Sequence, residues 1–288
     1  MTFKVILIPF SGLDAEIPGL RMAVSEAQDF AAQAVALHCR QLFNSPASAM
    51  LNFPLPDGYP SGIETDFLSE AQRTEEYARN LFCEVSEMLN VVNAEPDAIL
   101  TCGAASFVVV DGEPASILVT RARSADLIVL PLGNRSEGHA ELRHEALFKT
   151  GLPVLFVPVE WRSFLRPHKV FIAWNGSFEA ARAVRLALPF LKGAQVAIFT
   201  AAEEDEMPCE GKDIAQYLCH HGVQVTKVET AQVEKDVTAS ILAAAASFDA
   251  NLLVMGAFCR ETRLRESLLG GFTTDVLAKA EIPVLMAN

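Results

Sequence analysis

The feature that most constrains this chain is a duplication. Lys4-Val5-Ile6-Leu7-Ile8-Pro9-Phe10-Ser11-Gly12 has a counterpart in Lys169-Val170-Phe171-Ile172-Ala173-Trp174-Asn175-Gly176-Ser177. Ala125-Asp126-Leu127-Ile128-Val129-Leu130 returns as Ala250-Asn251-Leu252-Leu253-Val254-Met255, and Leu152-Pro153-Val154-Leu155 as Ile282-Pro283-Val284-Leu285. The offsets are 165, 125 and 130 residues, so the first copy carries about 40 extra residues between its first and fourth strands. Repeated short apolar runs bounded by turn residues describe one domain written twice. The copies meet at 159–168, a linker in which Pro167 blocks helix continuation. The expected domains are therefore 1–158 and 169–288.

Within each copy the runs alternate with segments of helical spacing, the pattern of a parallel sheet with helices on both faces. The first copy reads as strand 4–10, helix 17–32, strand 34–39, a Pro- and Gly-rich excursion over 43–62, helix 64–89, a strand at 98–102, a further short strand at 107–110, helix 114–123 and strand 126–131. The second is tighter: strand 169–174, helix 178–191, strand 195–200, helix 210–221, strand 223–228, helix 236–247, strand 251–255, and a closing strand from Pro283.

Bulk properties exclude several functions. A hydrophobic content of 51% with 20% charged residues describes a folded globular chain. The net charge of −13 disfavours nucleic acid and anionic membrane surfaces, since displacing counterions from phosphate needs cations. The deficit is uneven: 1–158 holds 20 acids and 10 bases, 169–288 and its linker 16 and 13, so an anionic ligand is repelled less by the second half. Six cysteines show no paired or metal-ligand spacing, which reads as reduced, mostly buried thiols in a cytoplasm. The chain opens directly on a strand, so no signal peptide is expected, and no apolar run reaches the roughly 18–20 residues that span a bilayer.

The residues with most to say about chemistry close the chain. The run Leu252 to Met255 stops at Gly256; a loop with Arg260, Arg263 and Arg265 follows, then Gly270-Gly271, then helical spacing at Phe272, Val276, Leu277 and Ala280. Strand, glycine, basic loop, glycine pair and helix together aim free backbone N–H groups at an anion. This segment resembles the C-terminal signature of universal stress proteins, whose nucleotide-binding members carry G-x-x-G, nine residues, then G-(S/T). Here the order is Gly256-x-x-Cys259, ten residues, Gly270-Gly271, with Thr273 and Thr274 beyond.

The resemblance extends over nearly the whole chain. It implies two tandem adenine nucleotide alpha-hydrolase-like, Rossmann-type α/β domains, each a five-stranded parallel sheet of order 3-2-1-4-5 with helices on both faces. It further implies that the two associate through their apolar closing strands, Val154 to Val157 and Val284 to Met286. The implied ligand is ATP or AMP, with Mg, held by Asn175, Gly256, Cys259, Gly270, Gly271, Phe272 and Thr273 in the second domain. The implied role is stress response by binding and interaction, without catalysis. Further partners would be a second copy or another protein.

Each of these residues also has a plainer reading. Gly256 and Gly270-Gly271 can serve tight strand–helix turns alone, and the arginines can be a solvated face. Asn175-Gly176-Ser177 reads equally as a turn with an N-cap for the next helix. Cys259 at a glycine position and Gly271 in place of Ser or Thr imply weak binding, with a non-glycine in a left-handed conformation costing about 1–2 kcal/mol, roughly tenfold in affinity. The first copy, with Gly133 to Gly138 and acidic Glu141 and Glu145 beyond, is expected to be structural. His220-His221, pointing about 100° apart on a helix, and His38-Cys39, on opposite faces of a strand, cannot share a metal. No nucleophile–base pair or acid dyad stands out. The rival to nucleotide binding is an interaction module that binds none; an ATP-hydrolysing enzyme is the remote alternative.

Overall fold

The computed structural model describes residues 2–40, 63–95, 102–132, 137–163, 166–202, 211–232, 236–257 and 271–288. The expected excursion at 43–62, the strand at 98–102 for the most part, the first-copy loop 133–136 and the arginine-bearing loop 258–270 fall outside them.

The first copy forms β1 (Val5–Pro9), α1 (Ile17–Phe30), β2 (Gln33–Arg40), α2 (Ile63–Met88), β3 (Val92–Asn93), β4 (Ala104–Asp111), α3 (Pro114–Ala122), β5 (Leu127–Leu132), α4 (Glu137–Lys149) and β6 (Val154–Pro158). The second forms β7 (Lys169–Ala173), α5 (Phe178–Leu191), β8 (Gln195–Ala202), α6 (Lys212–His220), β9 (Gln224–Gln232), α7 (Val237–Ser247), β10 (Leu252–Gly256), α8 (Gly271–Lys279) and β11 (Val284–Ala287). All strands join one sheet of order β3-β4-β2-β1-β5-β6-β11-β10-β7-β8-β9.

The second copy shows the order 3-2-1-4-5. The first shows it with one addition, the two-residue β3 paired outside β4. Its third strand is β4, which contains the short run expected at 107–110 and begins three residues before it. Every pairing is parallel except that between β6 and β11, where Phe156, Leu155 and Val154 face Val284, Leu285 and Met286. The two closing strands thus weld the halves into one antiparallel seam, and removing the edge that each would expose alone explains their apolar character.

Strand residues alternate between two cores, as burial on both sheet faces requires. Ile6, Ile8, Val129, Leu155, Ile172, Val254 and Leu285 point to α1, α2, α5 and α6. Leu7, Ile128, Leu130, Phe156, Phe171, Leu253, Met255 and Met286 point to α3, α4, α7 and α8. On the first face the halves also meet through side chains. The rings of Phe3, Phe30 and Phe190 lie 5.2–5.5 Å apart. Arg166 of the linker lies over Phe30 and donates to the Pro189 carbonyl (2.7 Å), and Arg182 donates to the Gly151 carbonyl (2.7 Å).

The repeated Asp/Asn before the fourth strand of each copy has a physical role. One oxygen of Asp126 accepts from the Lys4 and Val5 amides (2.7 and 2.9 Å), and Asn251 Oδ1 accepts from His168 and Lys169 (3.2 and 3.0 Å). Each side chain ties the start of the first strand to the start of the fourth. Asp126→Ala should therefore cost about 1 kcal/mol, whereas Asp126→Asn, which keeps the acceptor Asn251 uses, should unfold in urea close to the parent midpoint.

Two expectations about side chains are decided here. His38 is buried, donates from Nδ1 to the Phe10 carbonyl (3.0 Å) and stacks on Phe107, while Cys39 packs on the opposite face. The thiols are less buried than expected: among the described residues Cys102 and Cys219 are exposed and Cys39 and Cys83 half-buried, all unpaired. Small size lets a thiol sit at a loop or helix end without a packing partner. Burial, reinforced by Glu113, pushes Cys39 up to about 12, which keeps it an inert thiol. Among the described residues no helix is long and apolar enough to cross a membrane.

Candidate functional site

In a doubly wound parallel sheet the strand order reverses between two neighbouring strands, and the chain leaves them toward opposite faces, opening a crevice at their carboxyl ends. In the second copy those strands are β7 and β10. A cleft of about 590 Å³ opens there, lined by Ala173 to Asn175 after β7, Ala201 of β8, Met255 and Gly256 of β10, and the first turns of α5, α7 and α8. Its volume lies within the range of small-ligand sites.

The turn into α5 is set by its own hydrogen bonds. Gly176 adopts φ of +74°, and the Ser177 amide donates to Asn175 Oδ1 (3.1 Å). Ser177 Oγ then accepts from the Ala180 amide (3.1 Å), capping the helix. The turn-and-cap reading of Asn175-Gly176-Ser177 is thus what the geometry shows. It leaves the Asn175 Nδ2 group, whose partner oxygen is engaged, as the donor offered at the cleft.

Gly256 has an equally local cause. A Cβ there would stand 2.5 Å from the Ala180 nitrogen and 2.7 Å from the Glu179 carbonyl carbon, so the glycine lets the end of β10 touch the first turn of α5. Beyond it the Ala257 amide donates to the Ala287 carbonyl (2.8 Å), and Asn288 Nδ2 donates to the Ala257 carbonyl (2.9 Å). Gly271 is the first residue of α8, and among the described residues no atom lies within 4 Å of a Cβ built on it.

Of the residues expected to form the site, Asn175, Gly256, Gly271 and Phe272 line the cleft. Thr273 is fully buried and does not. Cys259 and Gly270 lie outside the described residues, as do Arg260, Arg263 and Arg265. The cleft also gathers residues that the sequence reading did not select: an apolar wall of Ala201, Val237, Ile241 and Met255, and three carboxylates, Glu179, Asp236 and Asp275. Asp236 caps α7, accepting from the Ala239 amide (2.9 Å), and lies 3.6 Å from the Lys279 ammonium. The Ala239 hydrogen bond, aided by Lys279, holds its carboxyl below the usual range. The signal that could have found these residues is positional, because each stands at a strand's carboxyl end or in the helix turn that follows it.

The equivalent place in the first copy is occupied by the chain itself. Oε2 of Glu16, a buried carboxylate, accepts from the amides of Ser11, Gly12 and Leu13 (2.7, 3.1 and 3.2 Å), and the Ser11 hydroxyl donates to both its oxygens (3.0 Å each). Three converging amides form an anion nest, and here Glu16 supplies the anion. Among the described residues no group of three or more His, Cys, Asp or Glu could hold a metal ion.

A parallel sheet reversing at β7/β10, with a cleft over that reversal, defines a Rossmann-type α/β fold. Residues 178–288 match the model of the universal stress protein family. None of the curated proteins compared matches the sequence. Among solved structures, a universal stress protein from Archaeoglobus fulgidus DSM 4304 aligns over 99% of this chain and 98% of its own, at 14% identity and a TM-score of 0.67. A Pseudomonas aeruginosa PAO1 protein of unknown function aligns over 99% and 92%, at 15% identity and a TM-score of 0.56. These two likenesses concern the fold. A universal stress protein solved in complex with cAMP covers 56% of this chain and 100% of its own, at 15% identity and a TM-score of 0.30, and its ligand is a property of that protein.

Proposed function

We propose that residues 1–158 and 169–288 are two tandem universal-stress-protein-like domains, and that the second binds an adenine nucleotide, ATP or AMP, weakly and without turnover. The role is that of a cytoplasmic stress-response protein acting through binding. The observation that carries this reading is the open cleft of about 590 Å³ over the β7/β10 reversal, with the first turns of α5, α7 and α8 around it. Its apolar wall and Phe272 suit a base, and the amides of a helix start suit a phosphate. Any Mg would arrive on the phosphates rather than in a protein-built cage, since the described residues offer no such cluster. The contrast with the first copy, where Glu16 fills the corresponding nest, supports assigning the ligand to the second.

The test uses one position twice. Gly271 has room for a side chain, so Gly271→Ser should fold as the parent does and bind AMP roughly tenfold tighter by adding a hydroxyl donor. Gly271→Trp should fill the mouth and abolish binding. Isothermal titration reads both, and an absence of heat for parent and serine variant at millimolar AMP and ATP would end the nucleotide reading. A single turnover-independent endpoint is expected, so steady phosphate release from ATP would instead point to an enzyme.

One observation favours a second reading, an interaction module. Phe178, the first residue of α5, is 93% exposed at the edge of the cleft turn. A partner protein or second copy covering it would explain so large an unburied ring. On that reading no nucleotide raises the melting temperature, because a ligand specific for the native state must raise it.

A further inference from the structure

The lining of the cleft bears on which nucleotide it takes, given the nucleotide reading above, on which this inference rests. A polyphosphate needs positive partners, and in such a cleft these would be helix N-termini or cations. Two of the three helix starts are already answered by the protein. That of α5 carries the Ser177 cap and Glu179 in its first turn; that of α7 is capped by the Asp236 carboxylate. Of the three, α8 alone has an acid neither in its first turn nor at the residue that precedes it in the sequence, Gly270, and no described atom stands beside Gly271.

Charge points the same way. The described lining holds Glu179, Asp236 and Asp275, and of the described cations only Lys279 is paired with one of them, at 3.6 Å from Asp236. Segment 258–270 contains three arginines and two glutamates, so even counted in full it adds a single net positive charge. The same habit recurs in the first copy, where Glu16 fills the β1 nest and Glu113 caps α3 through the Ala115 and Ser116 amides (2.9 and 2.7 Å). Carboxylates are, however, good acceptors for sugar hydroxyls.

We infer that the cleft selects against phosphate charge, and that its ligand class is an adenine nucleoside or nucleoside monophosphate rather than a triphosphate. One phosphate can sit at the α8 start. A second and third would approach Glu179, Asp236 or Asp275, and no residue of the described lining is a cation that could offset them.

The experiment is isothermal titration of the full chain with adenosine, AMP, ADP and ATP, in chelator, at low and high salt. From AMP onward the affinity should fall by roughly threefold for each added phosphate at low salt, and the steps should shrink at high salt as screening takes hold. The Glu179→Gln/Asp275→Asn double variant, with both changes isosteric and a melting curve to check folding, should flatten the series by gaining affinity for ATP and not for adenosine. ATP binding more tightly than AMP to the parent, or a double variant that leaves the series unchanged, overturns the inference while leaving nucleotide binding intact. No heat with any of the four ligands removes the nucleotide reading itself, and this inference with it.

Discussion

Glu26→Gln should stabilise the protein strongly at pH 8 and hardly at all at pH 4. Glu26 lies on α1 at 1% exposure, and neither carboxyl oxygen has a hydrogen-bond partner. Burial, reinforced by Asp29 and opposed by Arg166, pushes its pKa from 4.5 up to about 8. The folded-state value lies above the unfolded one. As the pH rises from about 4.5 to about 8, the unfolded chain therefore releases a proton that the folded chain keeps, and stability is lost across that window. At pH 7 the loss amounts to roughly 3 kcal/mol. The neutral amide is nearly isosteric with the protonated acid and removes the proton linkage, so the melting temperature at pH 7 should rise by about 5 °C. Parallel stability–pH curves for parent and variant between pH 4 and pH 8 would show that Glu26 does not carry this linkage.

Why a carboxylate should be buried there at all is visible in the duplication. α1 and α5 are both 14 residues long, and the tenth residue is Glu26 in one and Ala187 in the other, each buried. On α1 Glu26 falls between Met22 and Phe30, about 40° from each around the helix axis, so it shares the buried face of the helix. The burial follows from the closing strands welding the halves together and from the Phe3–Phe30–Phe190 cluster with Arg166 drawing the linker against α1. No local pattern encodes that meeting of the halves.

The same division runs through the rest of the molecule. Strand alternation, the paired Asp126 and Asn251, and the apolar closing strands were legible because each is a local, repeated pattern. β4 was harder to see: its start is governed by Gly103, where a Cβ would lie 2.4–2.7 Å from the backbone of Ala27 and Gln28 in α1, a contact between segments some 75 residues apart. At the cleft, Gly256, Gly271 and Phe272 stand out by the strand–glycine–helix order of the closing segment, and Asn175 by the resemblance to universal stress proteins. Glu179, Asp236 and Asp275 do not, since they come from three different helices and acquire meaning only when the β7/β10 reversal brings those helices together.

Gly256 and Gly271 belong to one signature, yet the same substitution should act on them in opposite directions. At Gly256 a methyl group would meet the Ala180 nitrogen and the Glu179 carbonyl carbon at 2.5 and 2.7 Å, both backbone atoms of a helix start that cannot swing aside as a side chain could. Either β10 or the first turn of α5 must shift, and overpacking of this kind costs about 3 kcal/mol. Gly256→Ala should therefore lower the urea midpoint markedly, and by displacing Ser177 and Glu179 should distort the cleft as well. At Gly271 no atom of the described residues lies within 4 Å and the residue is helical, so Gly271→Ala should be neutral or stabilising by up to about 1 kcal/mol, the helix-propensity difference between the two residues. If the two alanine variants unfold at the same urea concentration, close approach of β10 to α5 is not what requires glycine at 256, and its place in the signature must be sought in the ligand instead.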